Sequence, residues 1–308
     1  MKPREPDKLR IDGTTVKLPA LFLLLFFGIA AWRYSVTGNA FYLWNFGYLG
    51  LALALGILLA TALPRSRAQS GRRVAQLLVG LYMLVYLGFL RGEDMQIEGF
   101  FFYLLAGVFA GASLHYLIAK VAGPVVFGRG WCGWACWTAM FLDFLPWKRE
   151  GRARRNHGGY LRYIHFLASL GLVLYLGTAA EGRSFFQTPG RELRWLVLGN
   201  AAYYAAGLFL AAALRDNRAF CKYLCPIPVL QKPGARFSLI KPRIDPAVCV
   251  DCGACERACP MDVPLLEYTR QGRRVDSTEC VLCLACVHAC PKGAVSVDTR
   301  RLRVPLRG

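Results

Sequence analysis

Six long apolar stretches constrain the fold of this chain more than any other feature of its sequence. Each is about 17 to 23 residues long, the length that a helix needs to cross a hydrocarbon layer of roughly 30 Å. Hydrophobic residues make up 55% of the chain, more than is usual in soluble proteins. The sequence therefore predicts an integral membrane domain of six transmembrane helices. The predicted spans are Leu18–Tyr34, Phe41–Leu63, Val74–Leu90, Phe100–Ala122, Tyr160–Ala179 and Leu193–Leu214.

The connections between these stretches alternate in charge. Every second one is rich in Lys and Arg, and the others are uncharged or balanced by acidic residues. Because short cytoplasmic connections of membrane proteins carry the basic excess, we expect both termini on the cytoplasmic side of a bacterial inner membrane. The basic connections are 1–17, 64–73 and 128–159, and the others are 35–40, 91–99 and 180–192.

The same charge pattern bears on the partners of the chain. Its formal net charge is +19, with 38 Lys and Arg against 19 Asp and Glu. Positive connections on one side of a bilayer and attraction to anionic lipid head groups account for this excess. No fold signature of nucleic-acid binding accompanies the charge. We therefore expect the lipid bilayer, and no nucleic acid, as a partner.

The strongest chemical signal is a cysteine run that occurs twice near the C-terminus. Both copies have the spacing C-x2-C-x2-C-x3-C-P, which is typical of bacterial iron–sulfur proteins. A tight loop with this spacing can wrap three thiolates around one face of a four-iron cubane, and the fourth thiolate must come from elsewhere. The runs are Cys249, Cys252, Cys255, Cys259, Pro260 and Cys280, Cys283, Cys286, Cys290, Pro291.

Two [4Fe–4S] clusters are the prediction from this pattern. In two-cluster ferredoxins, the last cysteine of each run binds the other cluster. Disulfides are disfavoured by a cytoplasmic location, and the doubled run is not the usual zinc spacing. The predicted ligands are Cys249, Cys252, Cys255 and Cys290 for cluster 1, and Cys280, Cys283, Cys286 and Cys259 for cluster 2.

The other four cysteines form two C-x3-C pairs after the fourth and sixth predicted spans. They are Cys132 with Cys136, and Cys221 with Cys225. Residues i and i+4 share one face of a helix, so each pair is expected to present its two thiols together near the membrane surface. A third metal centre, a redox dithiol, a transient copper site and a contact for the ferredoxin domain are four functional interpretations. Cysteines that simply pack at helix ends are the structural alternative.

Three ionisable residues near or inside the predicted spans are further candidates. His115 and His165 lie at similar depths, and intramembrane ionisable residues are functional candidates. They could contact a quinone head group, ligate a b-type haem, or hydrogen-bond a neighbouring helix. Asp143 could accept quinol protons, or it could be solvated or paired with Arg. Nucleotide-binding glycine loops and hydrolytic triads are absent from the sequence, and there is no diagnostic flavin motif to test.

These motifs together resemble the membrane polyferredoxin family. The resemblance covers roughly residues 75–295 and depends on the Gly128–Cys136 motif, the Phe220–Pro226 motif and the double-cluster tail. That family includes the NapH-type quinol dehydrogenase subunit of periplasmic nitrate reduction, NosR-type accessory proteins, methylamine-utilisation ferredoxin-type proteins and an oxidase-assembly copper reductase. Trp137 stands where the family usually has Pro, the spans exceed the four of the nitrate-reductase subunit, and the long extra domains of the nitrous oxide and copper proteins are missing.

The resemblance implies electron transfer between the quinone pool and a dedicated redox protein. A copper-ion reductase or maturation factor, and a redox-sensing assembly scaffold, are the alternative functions. The predicted fold is an α-helical membrane domain followed by a small α+β ferredoxin domain of βαβ repeats. The predicted segments are an N-terminal arm (1–17), the membrane domain (18–225), a linker (226–246), the ferredoxin domain (247–298) and a basic tail (299–308).

Overall fold

The computed structural model describes residues 13–108, 112–147, 158–179 and 190–299, and these ranges are mostly helical. The predicted N-terminal arm is described only from residue 13, and of the predicted basic tail only Thr299 is described. In chain order the elements are α1 (Gly13–Thr37), α2 (Phe41–Ala62), α3 (Ala68–Leu81), a π-helix (Tyr82–Leu90), α4 (Ile97–Leu105), α5 (Ala112–Tyr116), a second π-helix (Leu117–Ala122), α6 (Gly123–Phe127), α7 (Gly130–Trp134), α8 (Trp137–Leu142), α9 (Leu161–Ala179), α10 (Arg191–Leu214), α11 (Ala219–Tyr223), α12 (Ile227–Arg236), β1 (Ile240–Ile244), α13 (Ala254–Arg257), α14 (Leu265–Arg270), α15 (Ala285–Ala289) and β2 (Val295–Thr299).

Within the described ranges, five helical segments are long and apolar enough to cross a membrane. They are α1, α2, α3 with its π-helical continuation, α9 and α10, and they correspond to five of the six predicted spans. Small residues let these helices approach closely, as is common in membrane bundles. A methyl group added to Gly71 of α3 would lie 2.2 Å from the Ala60 backbone nitrogen of α2. The chain is thus a multi-pass membrane protein.

The prediction of one continuous helix over Phe100–Ala122 is wrong. Helix α4 ends at Leu105, and Gly107 then adopts a left-handed φ of 71°. The chain resumes as a separate apolar helix over Ser113–Phe127. Hydropathy measures compatibility with lipid, and it does not detect a glycine turn that divides one apolar stretch into two short helices.

The C-terminal domain is closed by a two-stranded antiparallel sheet. Strand β1 pairs with β2 in a register that runs from Ile240 opposite Thr299 to Ile244 opposite Val295. Both cysteine runs lie between the strands, together with α13, α14 and α15. Within the described ranges this is the only sheet, so the predicted βαβ repeat has strands only at the two ends of the domain. The predicted linker 226–246 is folded, because it contains α12 and β1.

The ferredoxin domain packs directly on the membrane domain. The Trp134 indole N–H donates to the Leu282 carbonyl oxygen at 2.9 Å, and the Gln69 amide donates to that of Cys283 at 3.0 Å. Gly133 is in close contact with Val281, since an added methyl group would lie 2.2 Å from the Val281 carbonyl oxygen. One buried core contains cysteines of both domains. The fold therefore brings all the cysteine motifs into one region.

Candidate metal centres

Four cysteines of the ferredoxin domain line one cavity, and we call them the first cysteine set. Cys249, Cys252 and Cys255 come from the first run and Cys290 from the second. Ile244, Leu266 and Val295 supply an apolar lining. Cys252 is exposed, whereas Cys255 and Cys290 are buried, so one edge of the cavity faces solvent. A cluster whose fourth ligand comes from the other cysteine run requires this arrangement.

The remaining four form the second cysteine set, which lies deeper. Burial, followed by the nearby Cys283 and Cys280 thiols, raises the pKa of Cys259 to about 12. Burial and then the thiols of Cys283, Cys280 and Cys259 raise the pKa of Cys286. Cys259 of the first run thus lies beside the second run. The structure therefore groups Cys290 with the first run and Cys259 with the second, and the role of all eight residues as cluster ligands stays a prediction.

The loops that carry the two sets share an unusual backbone. Asp251 and Leu282 hold the same place in the two runs, and their φ angles are 54° and 50°. Gly253 and Leu284 also correspond, with φ of 70° and 60°. Left-handed backbone is uncommon for residues other than Gly and persists where the surroundings over-determine it. These turns make both loops tight enough to present several thiols on one side.

The donor sets fit iron–sulfur clusters, because thiolates are the ligands of such clusters. Within the described ranges, no three His, Cys, Asp or Glu side chains lie close enough together to hold a single metal ion. A zinc ion would need its thiolates at about 2.3 Å. The C-x2-C-x2-C-x3-C-P spacing in the sequence is that of four-iron clusters and not the usual spacing of zinc sites. Backbone N–H groups approach the sulfurs as well, with Ala294 N–H donating to the Cys290 Sγ at 3.2 Å.

The two C-x3-C pairs have the same local geometry, which differs from the expected helical face. Each short helix ends between its two cysteines, so the second thiol follows in the next turn. The Trp131 carbonyl oxygen accepts the N–H groups of Ala135 and Cys136 at 3.0 and 3.1 Å. The Phe220 carbonyl oxygen does the same for Leu224 and Cys225, both at 2.9 Å. Trp137 follows Cys136 as Pro226 follows Cys225, and each of the two residues lies at the start of the next helix, α8 or α12. The turn after the second cysteine therefore forms in the first motif without proline.

The four thiols of these pairs, Cys132, Cys136, Cys221 and Cys225, lie close to one another, and we call them the thiol quartet. Burial, and then Cys132 and Cys221, raise the pKa of Cys136 to about 12. Burial, followed by the other three thiols, raises the pKa of Cys225. Cys132 and Cys221 are buried, and the Cys132 thiol donates to the Gln231 Oε1 at 3.0 Å.

Two buried arginines accompany the quartet, and our sequence analysis missed them. Arg129 and Arg218 each precede the first cysteine of a pair by three residues, and both are 0% exposed. The Arg218 guanidinium donates to the Cys132 carbonyl oxygen at 3.1 Å and approaches the Cys221 Sγ at 3.9 Å. An alignment of 129–136 with 218–225 would have revealed the shared pattern Arg-x2-Cys-x3-Cys.

Asp143 is paired with arginine, as one of its interpretations proposed. Both of its oxygens accept from Arg218 at 2.6 Å, and Arg72 lies 2.9 Å from Oδ2. Burial alone would raise the pKa of Asp143, but Arg218 and Arg72 outweigh it and lower the pKa to about 2. Such a carboxylate does not accept a proton at neutral pH, which argues against the interpretation of Asp143 as a quinol proton acceptor.

The two candidate histidines lie beside the quartet rather than beside each other. The His165 Nδ1 lies 3.0 Å from the Leu224 carbonyl oxygen, next to Cys225. The His115 ring is 4.6 Å from that of Trp131, next to Cys132. In the described part of the chain, no contact joins the two rings, and the buried His115 Nε2 has no hydrogen-bond partner.

Two family models match this chain. One, described as a 4Fe-4S dicluster domain, matches residues 241–291. The other, described as a 4Fe-4S binding domain, matches residues 100–156 and 201–245. The first match contains both cysteine runs and the second contains the thiol quartet, so both cysteine-rich regions are similar to iron–sulfur proteins.

Several curated proteins are similar to the chain. An uncharacterized protein of Methanocaldococcus jannaschii is 27% identical over 211 residues, which are 66% of this chain and 78% of that protein. The methylamine utilization ferredoxin-type protein MauN of Methylorubrum extorquens is 30% identical over 48% of this chain and 52% of its own length. Protein RdxB of Cereibacter sphaeroides is 27% identical over 53% of this chain and 41% of its own length. No solved structure matches significantly. The chain is related to membrane-associated, ferredoxin-type 4Fe-4S electron transport proteins.

Proposed function

We propose that this chain carries electrons between the quinone pool and a dedicated redox protein, on the cytoplasmic face of a bacterial inner membrane. The observation behind the proposal is that two complete cysteine sets are fixed on a membrane-spanning domain through a shared buried core. A ferredoxin that served only soluble partners would not need this attachment. The attachment favours a partner within the membrane, and quinones are the mobile redox carriers there.

The cysteine sets are the proposed cluster ligands. The first set would bind one [4Fe–4S] cluster and the second set the other, and these clusters supply one-electron chemistry. Ile244 and Leu266 keep water from the inner side of the first set. The N–H groups that point at the sulfurs tune the potential of such sites. The exposed Cys252 marks the edge nearest to a soluble partner.

Unpaired polar groups in the membrane domain support a quinone site. The His115 Nε2, the Tyr116 hydroxyl and the Tyr203 hydroxyl are buried without a hydrogen-bond partner among the described residues. Each unpaired buried group costs about 1–3 kcal/mol, and a quinone oxygen would relieve that cost. Tyr203 also packs on His165, with 5.5 Å between their rings. We propose that His115, His165 and Tyr203 contact the quinone, and Asp143 is left out.

The test is anaerobic oxidation of the reduced, full-length protein by a short-chain quinone in detergent, followed by the visible absorbance of the clusters. We expect rapid reoxidation that Tyr203→Phe slows about tenfold, the equivalent of one lost hydrogen bond. Tyr175→Phe, which removes a hydroxyl from a residue of α9 that is 67% exposed, is the matched control and should leave the rate unchanged. A protein that exchanges no electrons with quinones would refute the proposal.

The same preparation separates this function from its two alternatives. Copper that is bound by the wild type and lost from the Cys221→Ser, Cys225→Ser variant would favour a copper reductase. Full biological activity and partner binding in a variant without clusters would favour a scaffold.

A further inference from the structure

The thiol quartet is not used by the proposed function, and its surroundings suggest a role. Four thiols from two separate parts of the chain lie in or against one buried core. Cysteines that only fill space need no charged neighbours, yet buried cations lie around these thiols. The chemistry of the quartet therefore depends on what balances the charge of those cations.

Lys120 is the first of these cations. It is 1% exposed, and its ammonium lies 3.3 Å from the centre of the Tyr116 ring. It also lies 5.7 Å from the Trp131 ring and 5.0 Å from the Trp137 ring, the residues that flank Cys132 and Cys136. Among the described residues it has no carboxylate partner. A buried ammonium without a counter-charge is strongly unfavourable.

The arginines add to this excess. Arg129 is 0% exposed and lies 2.6 Å from the Glu279 carboxylate, which two other cations, Arg162 and Lys232, also contact. The Nε and Nη2 of Arg129 have no hydrogen-bond partner among the described residues. Arg72 and Arg218 share a single carboxylate, that of Asp143. Lys222 is different, because it lies between two carboxylates, Asp216 and Asp262, each at 2.6 Å. The environment of the quartet thus favours an anionic occupant.

Gln231 provides an independent indication. Its side chain is 0% exposed, and its Nε2 has no partner within the described ranges. Its Oε1 accepts from the Cys132 thiol at 3.0 Å. The oxygen and nitrogen of an amide are interchangeable by a flip. With a thiolate at Cys132, the flipped amide would donate to the sulfur, so Gln231 can serve an anionic sulfur as well as a neutral one.

We propose that Cys132, Cys136, Cys221 and Cys225 bind a third [4Fe–4S] cluster. Each thiol loses its proton as its Fe–S bond forms, and four thiolates on a [4Fe–4S]2+ core leave a net negative charge for Lys120, Arg129 and Arg218 to balance. The ligands come from both segments of the second family match.

The position of this site suggests a relay. Gly133, between the ligands Cys132 and Cys136, touches Val281, between Cys280 and Cys283. One electron would pass across this contact, so that the cluster of the second set is oxidised by one unit and the third cluster is reduced by one unit, with no bond made or broken. This exchange rests on the proposed function, whereas the existence of the third cluster does not.

The test is to count iron and acid-labile sulfide in anaerobically purified full-length protein. We expect about twelve irons per chain for three four-iron clusters. A variant with serine at Cys132, Cys136, Cys221 and Cys225 should contain about eight, and a variant with serine at the other eight cysteines should retain about four. About eight irons in the wild type, or zinc or copper in place of the third cluster, would overturn the proposal. Because the wild type and the eight-serine variant decide the matter, misfolding of the quartet variant would not obscure the result.

A potentiometric titration followed by EPR tests the role of the buried charge. Lys120→Met should lower the midpoint potential of one cluster and leave the other two unchanged, and Lys120→Arg should restore it. Three unchanged potentials would contradict the assignment of the third cluster to this pocket. Quinone reoxidation is measured separately, so failure of the quinone proposal is distinguishable from failure of this one.

Discussion

The ferredoxin domain and the thiol quartet are two cysteine-rich regions stabilised in different ways. In the ferredoxin domain, the thiols lie on consecutive tight loops, and ion pairs such as Arg270–Asp251 are exposed, with side chains 69% and 55% accessible. Around the quartet, the thiols come from segments about 90 residues apart, and the Arg218–Asp143 pair is buried, at 0% and 5%. The first region is organised by local sequence, whereas the second depends on long-range contacts between charges.

This contrast predicts where mutations should matter. Exposed ion pairs contribute little to stability, whereas removing one partner of a buried pair is strongly destabilising. The quartet region should therefore be sensitive to single charge changes that the ferredoxin surface tolerates.

The largest expected effect is that of Arg218→Met. It leaves Asp143 with Arg72 alone, and we expect a loss of about 3–5 kcal/mol in the free energy of unfolding. Denaturant unfolding of the protein in detergent measures it. Arg270→Met, on the ferredoxin surface, is the matched control and should cause no measurable change. Equal stability of the two variants would remove the distinction between the regions.

Gly133→Ala should follow in size. The added methyl group meets the Val281 carbonyl oxygen at 2.2 Å, so the two domains must move apart, at a cost of about 1–3 kcal/mol. Limited proteolysis between the domains should become faster. Gly171→Ala in α9 is the control, since nothing lies within 4 Å of its added methyl group. Unchanged proteolysis of the Gly133 variant would mean that this contact does not hold the domains together.

The pH dependence of stability offers a third test. The pKa of Asp143 is lowered to about 2 from 3.8, so its ionised form stabilises the fold above pH 4, and this stability is lost as the pH falls towards 2. The loss should be roughly 2 kcal/mol. Unfolding measured at pH 5 and at pH 2.5 should therefore show a steeper decline for the wild type than for Asp143→Asn. Identical slopes would place Asp143 outside the buried ion pairs.

Trp134→Phe should have the smallest effect. It removes one hydrogen bond to the Leu282 carbonyl oxygen, worth about 1 kcal/mol. Trp44→Phe, at a residue 77% exposed on α2, should leave denaturant unfolding unchanged. A loss well above this value would indicate that Trp134 packs more tightly against the ferredoxin domain than its hydrogen bond alone implies.

The sequence alone predicted the features that repeat or have a fixed period. Five membrane helices followed from hydropathy, and the grouping of Cys290 with the first run and Cys259 with the second followed from the known spacing. The broken fourth span did not, because a turn at Gly107 leaves the apolar composition unchanged. The folded segment that contains α12 and β1 was also missed, because the pairing of β1 with β2 joins residues more than 50 positions apart.

Hydropathy could not predict which residues surround the quartet. In the sequence, Lys120 is a single charged residue in an apolar stretch. The fold places its ammonium over the Tyr116 ring. The partners of Arg129 and Arg218 are distant in sequence and carry no local signal. Only the repeated spacing of arginine and cysteine was visible, and a comparison of the chain with itself would have detected it.

The Arg129–Glu279 ion pair also bears on how the protein is made. Glu279 follows Arg129 by 150 residues, and at about 5–20 residues per second the ribosome needs roughly 8–30 s to add them. Throughout that interval the arginine exists without the carboxylate that will pair with it. Insertion of the helices that precede Glu279 therefore comes first in biogenesis, and the junction between the domains closes only after Glu279 has been added.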